Sequence, residues 1–226
     1  MDHIISRCEE TSICEDAVSI KAVLYLQLGK TKDAIDLLED MADPGRISNQ
    51  NDMMLAQAYY QAGETENAKS YVQIRTYTHL ISMLAGETLF LALYEKELER
   101  CRERICRVRG VIELYQLEKL HPNLTAQFYY YAAVVYGMNG RPEEALEMLS
   151  HFTDCVCSIL RREQDLLHGD LYFDRLDEWI ERLPLGNMAP MDLEFARQNS
   201  IAALSHPAFA DLRERSEFQK MYARLA

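Results

Sequence analysis

The sequence has few residues of the kinds that mark membrane or nucleic-acid-binding proteins. It contains 24 Lys and Arg against 36 Asp and Glu, which gives a formal net charge of -12. Nucleic-acid affinity depends on clustered basic residues that release counterions, so this balance argues against direct nucleic-acid binding by the chain. The most apolar window, Phe128 to Met138, is shorter than the roughly 18 residues of a membrane span, and we expect no membrane segment.

A secretory signal and the common catalytic motifs are also missing. An acid stands at Asp2 and no sustained apolar stretch follows it, so we expect a cytoplasmic protein. The sequence has no Gly-rich phosphate loop, no HExxH and no GxSxG, which predicts a protein that is not an enzyme and uses no cofactor. Catalytic residues that are distant in sequence and converge in the fold are the minor alternative.

Cysteine is present but does not follow a metal-binding pattern. None of the spacings among the six cysteines is the C-x2-C that begins most structural zinc sites. Reduced thiols in a cytoplasm explain these residues, and a metal or redox pair of Cys155 with Cys157 is the alternative. We therefore predict no metal site.

An internal repeat is the most informative feature that the sequence contains. In three segments an alanine, a tyrosine, a glycine and a second alanine follow one another at the same spacing. The segments are Ala22-x-x-Tyr25-x-x-x-Gly29-x4-Ala34, Ala56-x-x-Tyr59-x-x-x-Gly63-x4-Ala68 and Ala133-x-x-Tyr136-x-x-x-Gly140-x4-Ala145. Gly29 and Gly63 are 34 residues apart, the period of a tetratricopeptide repeat, and the longer interval from Gly63 to Gly140 leaves room for a degenerate, lengthened third repeat.

Each residue type in this pattern has a structural role. The first alanine lets two helices approach closely, the tyrosine fills the space between them, and the glycine ends the first helix in a left-handed conformation. The turn Gly140-Arg141-Pro142-Glu143-Glu144 fits the start of the second helix, because proline suits the first helical turn and acids complement the helix dipole. The pattern therefore predicts antiparallel helix pairs.

At these residues the sequence resembles the tetratricopeptide family, over roughly residues 15–160. The resemblance implies an all-α fold, a right-handed helical solenoid of antiparallel helix pairs. We predict about four pairs over residues 1–160 and a helical C-terminal cap over residues 161–226 that packs on the repeats, because terminal units of such proteins are commonly atypical.

Apolar spacing also predicts helices outside the three copies. Residues Tyr77 to Leu120 are expected to form two long helices. Leu171 to Leu183 is expected to form an amphipathic helix with Trp179 as a core anchor, and a further helix is expected from Pro190 to about Leu204. A final helical piece is expected to contain Phe209, Leu212, Phe218, Met221 and Leu225.

The C-terminal part carries a second resemblance. The string His168-Gly169-Asp170-Leu171-Tyr172-Phe173-Asp174-Arg175-Leu176-Asp177-Glu178-Trp179, followed by Leu185-Gly186, Ala189-Pro190 and His206-Pro207-Ala208-Phe209, is similar to the C-terminal half of XRE-type helix-turn-helix regulators of Firmicutes. The string Leu117-Glu118-Lys119-Leu120-His121-Pro122 fits the same pattern, so this resemblance covers about residues 75–226. In that family a small DNA-binding domain precedes a tetratricopeptide-like region that senses an effector and mediates self-association.

Together the two resemblances predict the effector-sensing and dimerisation domain of a cytoplasmic transcriptional regulator. The chain reaches its first repeat by about residue 15, which implies that the DNA-binding domain is lacking in this chain. The implied partners are a peptide, a small-molecule effector or a protein, and the implied assembly is a homodimer. The alternative is a free-standing tetratricopeptide scaffold for protein–protein interaction.

The candidate ligand-binding residues lie on the first helix of each pair, which lines the concave surface of such repeats. Amides and tyrosine hydroxyls offer donors and acceptors without a fixed charge, which suits a peptide backbone. Counting from the matched tyrosines gives Gln50, Gln57, Tyr60, Gln61, Gln127 and Tyr130, with Met53 and Val134 beside them. A hydrated inner surface without a ligand is the alternative.

Two charged groups suggest binding but have simpler explanations. Five arginines lie between residues 100 and 109. Their guanidinium groups can bind a carboxylate or phosphate, but Glu99 and Glu103 are spaced to form ion pairs with them along one helix. His168, Asp170 and Asp174 can be imagined as metal ligands, but a turn in which Asp170 caps the next helix explains them more simply. The arginines of this run are Arg100, Arg102, Arg104, Arg107 and Arg109.

Overall fold

The computed structural model describes residues 11–39, 50–161, 167–183 and 192–226. Within these residues the chain is helical and contains no strand, so the predicted all-α fold class is confirmed. The helices are α1 (Thr11–Gln27), α2 (Thr31–Glu39), α3 (Gln50–Gln61), α4 (Thr65–Leu93), α5 (Leu98–Leu114), α6 (Leu117–Leu120), α7 (Pro122–Met138), α8 (Pro142–Leu160), α9 (Asp177–Glu181), α10 (Leu193–Ala203) and α11 (Ser216–Leu225), with a 3₁₀ helix over Pro207–Leu212. No helix in the described part of the chain combines the length and apolar character that crossing a bilayer requires.

The three matched glycines end their helices with the same hydrogen bonds. Gly29, Gly63 and Gly140 have φ values of 71°, 81° and 66°, in the left-handed region where a side chain is disfavoured. Each glycine N–H donates to the carbonyl three residues earlier, and the N–H of the following residue donates to the carbonyl of the matched tyrosine. These two bonds define a Schellman motif, so the repeat spacing in the sequence corresponds to a hydrogen-bonding pattern present in all three copies.

The matched alanines are buried where paired helices meet. All six have at most 8% of their surface exposed. In each copy the N–H of the second alanine donates to the carbonyl of the residue that follows the glycine, so the second helix begins at the same place. The predicted antiparallel helix pairs are present as α1 with α2, α3 with the start of α4, and α7 with α8.

The region between the second and last copies departs from the prediction. Instead of a helix that begins near Tyr77, α4 continues without a break over 29 residues, from Thr65 to Leu93. No proline interrupts this segment, and its one glycine, Gly86, does not adopt the left-handed conformation that ends α1 and α3. The second helix predicted there is α5, in which Cys101, Ile105, Val108 and Ile112 are buried.

The described residues group into two compact units. Unit one contains the residues up to Leu80 together with Leu171–Leu176, and unit two contains Ile81–Asp170 and Asp177–Ala226. The predicted division into repeats over residues 1–160 and a cap over residues 161–226 stays a prediction.

The core of unit one joins α1, α2 and α3. Its buried residues are Val18, Ala22, Ala34, Ile35, Leu38, Leu55 and Ala58. The Leu171–Leu176 segment packs on α4, where the ring of Phe173 lies 5.8 Å from that of Tyr77. Gln73 holds this segment by donating to the Asp174 carboxylate at 2.7 Å and accepting the Arg175 N–H at 3.1 Å.

These contacts with Gln73 explain why the helix predicted over Leu171–Leu183 is shorter in the structure. The amphipathic helix expected over Leu171–Leu183 is limited to α9, and Leu171–Leu176 forms turns instead. The Arg175 N–H bonds to a side chain rather than to a helical carbonyl, so a tertiary contact competes with the local helix. Trp179, the expected core anchor, is only half-buried.

The core of unit two is built on α7 and α8. Phe128, Met148 and Leu149 on these helices are fully buried. The 3₁₀ helix contacts α7, and α11 contacts α8. The predicted apolar residues of these last two elements, Phe209, Leu212, Phe218, Met221 and Leu225, are all buried, which confirms this part of the prediction.

The helix expected to begin at Pro190 is α10, which begins at Leu193. Asp192 caps it, because its Oδ1 accepts hydrogen bonds from the N–H groups of Glu194 and Phe195. Pro190 itself lies outside the described residues, as do Pro184 and Gly186. The end at Ala203 agrees with the expected end near Leu204.

Candidate recognition cleft

An apolar cleft lies between α7, α8 and α10 in unit two. Its volume is about 290 Å³. Helix α7 contributes Ala126, Tyr130 and Tyr131, α8 contributes Phe152, Val156, Ile159 and Leu160, and α10 contributes Leu193, Ala196 and Ala203. The lining is therefore mainly aliphatic and aromatic.

Four uncharged polar residues complete the lining, and they are Asn123, Gln127, Asn199 and Ser200. The Ser200 hydroxyl donates to the Ala196 carbonyl at 2.8 Å, which leaves the three amides as the main donors and acceptors for a ligand. The cleft lining, as far as the described residues form it, contains no Lys, Arg, Asp or Glu. An uncharged, largely apolar ligand suits such a lining, because burying an unpaired charge is costly.

Helix α10 forms one side of the cleft but buries little of its own surface. None of its residues is buried, and Leu193 and Phe195 are 40% and 55% exposed. One tether to the rest of unit two is Arg197, whose Nη1 donates to the Leu225 carbonyl of α11 at 3.0 Å. Because this helix buries so little apolar surface, we expect it to be held weakly and to move when the cleft is filled.

Four of the predicted ligand-binding residues line depressions of the surface. Gln127 and Tyr130 line the cleft in unit two. Gln57 and Tyr60 line a shallow depression on α3 and α4 in unit one, together with Met53. Because the two pairs belong to different units, they are described separately, and the predicted binding role of each pair stays a prediction.

Gln61, a fifth predicted residue, lines neither depression. Gln61 is exposed at the end of α3. The side chain of Gln50 lies outside the described residues, although its backbone begins α3. The roles predicted for both also stay predictions.

The 3₁₀ helix packs on part of the α7 face that was expected to form an open groove. Val134 is 1% exposed, so the expectation that it lines a groove is wrong. The Tyr130 ring lies 6.1 Å from that of Phe209 and 6.4 Å from that of His206, in and beside the 3₁₀ helix. Burial also raises the pKa of the Tyr130 hydroxyl, which keeps it a neutral donor and acceptor.

A close backbone contact holds the 3₁₀ helix against α7. A Cβ atom at Gly137 would lie 2.4 Å from the carbonyl oxygen of Ala208, nearer than Cβ atoms come to backbone oxygens in folded proteins. Glycine is therefore required at this position of α7.

The sequence reasoning missed the α8 and α10 sides of the cleft. Phe152, Val156 and Ile159 recur at spacings of four and three residues along α8, and this spacing was a usable signal of a continuous apolar face. Asn199 and Leu193 had no comparable signal, because the position of α10 depends on contacts with residues distant in sequence.

Four of the five arginines in the run form ion pairs with neighbouring carboxylates. The Arg104 Nη1 contacts both Glu87 carboxylate oxygens at 2.8 and 2.7 Å, and its guanidinium lies 3.8 Å from the Phe90 ring centroid. Further pairs join Arg100 with Glu97, Arg107 with Glu103 and Arg109 with Glu147. The predicted pairing of Glu103 along the helix is thus confirmed.

The turn at His168 differs from the predicted cap. No helix begins directly after Asp170, because the next helix, α9, begins at Asp177. The Gly169 N–H donates to the Asp177 carboxylate at 2.6 Å. Among the described residues, no group of three or more His, Cys, Asp or Glu side chains is arranged to hold a metal ion.

Outside the cleft, Glu118, Tyr129 and His151 form a hydrogen-bonded cluster. The Glu118 Oε1 accepts the Tyr129 hydroxyl at 2.7 Å and lies 3.2 Å from the His151 Nδ1. The rings of Tyr129 and His151 stack with centroids 4.6 Å apart. The hydrogen bond to Glu118 raises the pKa of His151, and the bond to His151 lowers the pKa of Glu118.

This cluster predicts a pH dependence of stability. The raised His151 pKa contributes stability that is present below its unfolded value of 6.5 and lost as the pH rises through the folded pKa. The lowered Glu118 pKa contributes stability that is present above its unfolded value of 4.5 and lost as the pH falls through the folded pKa. We expect His151→Gln to lower the free energy of unfolding by at most about 1 kcal/mol near pH 6, because both groups are partly exposed, and by less near pH 8.5.

Urea denaturation at both pH values measures this difference. Glu118→Gln serves as a second variant and should remove the same pH dependence, since it removes the partner of His151. A difference between wild type and His151→Gln that is constant from about pH 6 to about pH 8.5 would contradict the prediction.

Comparison with known proteins supports the helical-repeat character of one part of the chain. A family model described as PPR repeat matches residues 134–154, which include the end of α7, the Gly140 turn and the first part of α8. No curated protein and no solved structure matches the chain. The chain is therefore similar to PPR-repeat proteins over part of one helix pair, in agreement with the tetratricopeptide-like pairs that the Schellman motifs define.

Proposed function

We propose that the chain is a recognition domain that binds an uncharged, apolar ligand in the cleft between α7, α8 and α10. The observation that carries the proposal is the lining, in which aliphatic and aromatic residues surround three amide side chains and no charged side chain of the described residues takes part. Ligand pockets commonly combine an apolar wall with a few polar groups that orient the ligand.

The size of the cleft limits what it holds. Its 290 Å³ lies at the lower end of the roughly 300–1,000 Å³ of pockets that enclose drug-sized ligands. One or two apolar side chains of a partner's peptide segment, or a small effector molecule, fill a space of this size. Gln127 and Asn199 then donate to and accept from the polar atoms of the ligand.

Effector sensing in a cytoplasmic transcriptional regulator is the specific form of this proposal. It rests on the similarity of the tail motif, His168 to Trp179, to XRE-type regulators, together with the weak attachment of α10. A ligand that binds one position of α10 more tightly than another shifts the equilibrium between them. The bond from Arg197 to the Leu225 carbonyl passes such a shift to α11, where it can alter contacts between the subunits of a homodimer.

A protein-interaction scaffold is the second candidate. Helical-repeat proteins commonly bind segments of partner proteins, and the repeat match to residues 134–154 favours this candidate directly. The two candidates share the cleft and differ in the ligand, since a regulator responds to a free effector and a scaffold responds to a segment of a larger protein.

A double substitution of two amide residues that line the cleft, Gln127 and Asn199, tests whether the cleft binds the ligand. A thermal-shift screen of uncharged apolar peptides and small molecules first identifies a ligand that raises the melting temperature. We expect Gln127→Ala with Asn199→Ala to weaken that ligand by roughly tenfold, because each lost hydrogen bond contributes about 0.5–1.5 kcal/mol. Both amide side chains are exposed, so we expect the free energy of unfolding to change by less than about 0.5 kcal/mol.

The matched control is a double substitution in unit one. Gln57→Ala with Tyr60→Ala changes two exposed residues that line the other depression and should leave the affinity unchanged. A loss of affinity in this control, with none in the cleft variant, would move the site to α3 and α4. A ligand that is a free small molecule supports effector sensing, and a ligand found only among peptides supports the scaffold.

A further inference from the structure

We propose that the outer face of α1, formed by Ile20, Leu24 and Leu28, binds an amphipathic α-helix of a partner protein in the position of a preceding repeat. These three side chains are 54%, 42% and 70% exposed. They recur every fourth residue, so they form one apolar stripe along the helix. Three large aliphatic side chains exposed in one stripe are typical of an interaction surface rather than of a solvated helix.

The repeat register shows that the middle position of this stripe, that of Leu24, is buried in the other copies. The positions that correspond to Leu24 are Ala58 in the second copy and Val135 in the last, and both are fully buried. The position that corresponds to Ile20 in the second copy is Met54, which packs against the core of unit one. The middle of this face is therefore covered in two copies and exposed in α1, whereas Tyr131, the last copy's counterpart of Ile20, lines the cleft in unit two and Ala62, the second copy's counterpart of Leu28, is exposed.

The element that covers this face in the second copy is the helix of the preceding repeat. Ala58 belongs to one core cluster with Ile35 and Leu38 of α2. In the last copy, the counterpart of Leu28 is Asn139, whose Nδ2 donates to the Glu95 carbonyl just before α5. A helix bound on α1 would therefore repeat an interface that the chain already contains between α2 and α3.

The charges around α1 specify which helix fits. Glu39, the last residue of α2, accepts the hydroxyl of Tyr59 in the second copy. The corresponding tyrosine of α1 is Tyr25, and the ammonium groups of Lys21 and Lys30 lie 5.4 and 6.0 Å from its ring centroid. A carboxylate at the end of the bound helix would thus meet the Tyr25 hydroxyl and the Lys30 ammonium group. The partner helix combines an aliphatic stripe with an acidic C-terminal residue, as α2 does.

A helical peptide with the sequence of α2 is the probe. Residues 31–39 are synthesised with a lactam bridge between Lys32 and Asp36, which are both exposed in α2 and one turn apart, and with a fluorescent label. We expect saturable binding by fluorescence anisotropy. Leu24→Glu should weaken binding by at least about tenfold, because it places a charge against the aliphatic stripe.

A charge exchange tests the orientation of the helix. A peptide with Glu39→Lys should bind wild type several-fold more weakly, and Lys30→Glu in the protein should recover part of that loss. Recovery in the doubly changed pair distinguishes a specific contact from a general effect of net charge.

Leu114→Glu is the matched control, since Leu114 is a 75% exposed leucine on α5 that takes no part in the proposed site. It should leave peptide binding unchanged. If Leu24→Glu lowers the yield of folded protein, Leu28→Glu replaces it, because Leu28 is more exposed.

Absence of saturable binding, or equal binding to the α1 variants, overturns the proposal. Dimers that depend on Leu24 in sedimentation, without peptide binding, overturn it in favour of a second copy as the occupant.

Discussion

Phe209→Ala is expected to lower the free energy of unfolding by about 3–5 kcal/mol. Phe209 lies in the 3₁₀ helix and is fully buried. The centroid of its ring lies 6.1 Å from that of Tyr130 on α7 and 6.5 Å from that of Phe218 on α11. Truncation removes a large apolar side chain from a contact among three elements and leaves a cavity that their backbones cannot close. Urea denaturation followed by circular dichroism measures the loss.

Tyr222→Ala is the matched control for Phe209→Ala. Tyr222 is also a C-terminal aromatic residue, on α11, but it is 45% exposed. We expect it to change the free energy of unfolding by less than about 1 kcal/mol. A Phe209→Ala variant as stable as the Tyr222→Ala variant would show that the 3₁₀ helix does not unfold together with α7 and α8.

Gly137→Ala is expected to destabilise the protein by about 1–3 kcal/mol, although alanine normally favours a helix. The added Cβ would lie 2.4 Å from the Ala208 carbonyl oxygen, and both atoms belong to rigid backbone segments. Relief of this contact requires the 3₁₀ helix to move away from α7, which exposes Tyr130 and Phe209. Melting temperature and the accessibility of the tyrosine ring measure the two consequences.

Gly86→Ala is the matched control, and we expect it to change stability in the opposite direction. Gly86 lies within α4, and no atom lies within 4 Å of a Cβ built there. Alanine should therefore stabilise the helix by about 0.5–1 kcal/mol. If both substitutions stabilise the protein, the close approach of Ala208 to Gly137 is not maintained in solution.

These two predictions concern the relation between the C-terminal segment and the recognition cleft. The 3₁₀ helix packs on one part of the first helix of the last repeat, at Gly137, and leaves Gln127 and Tyr130 beside the cleft. A ligand in the cleft therefore contacts α7, the same helix on which the 3₁₀ helix packs. A variant that loosens the 3₁₀ helix is expected to alter ligand binding even though Phe209 and Gly137 do not line the cleft.

Local patterns in the sequence predicted the helix pairs well, for a physical reason. The Schellman motif needs a glycine with positive φ and hydrogen bonds that join residues no more than five positions apart. Such bonds depend on nearby residues alone, so the same spacing at Gly29, Gly63 and Gly140 produces the same turn. The continuous α4 was missed because a degenerate copy was assumed where no left-handed glycine stands.

The sequence by itself determined the all-α class, the paired helices and the ends of those helices at the matched glycines, because local hydrogen bonds and close alanine contacts control them. Only the tertiary structure decided that Val134 is buried, that Gln73 interrupts a predicted helix at Arg175, and that α10 forms a cleft with α7 and α8. These features join residues that are far apart in sequence, and their positions follow from packing and hydrogen bonds that no local spacing records.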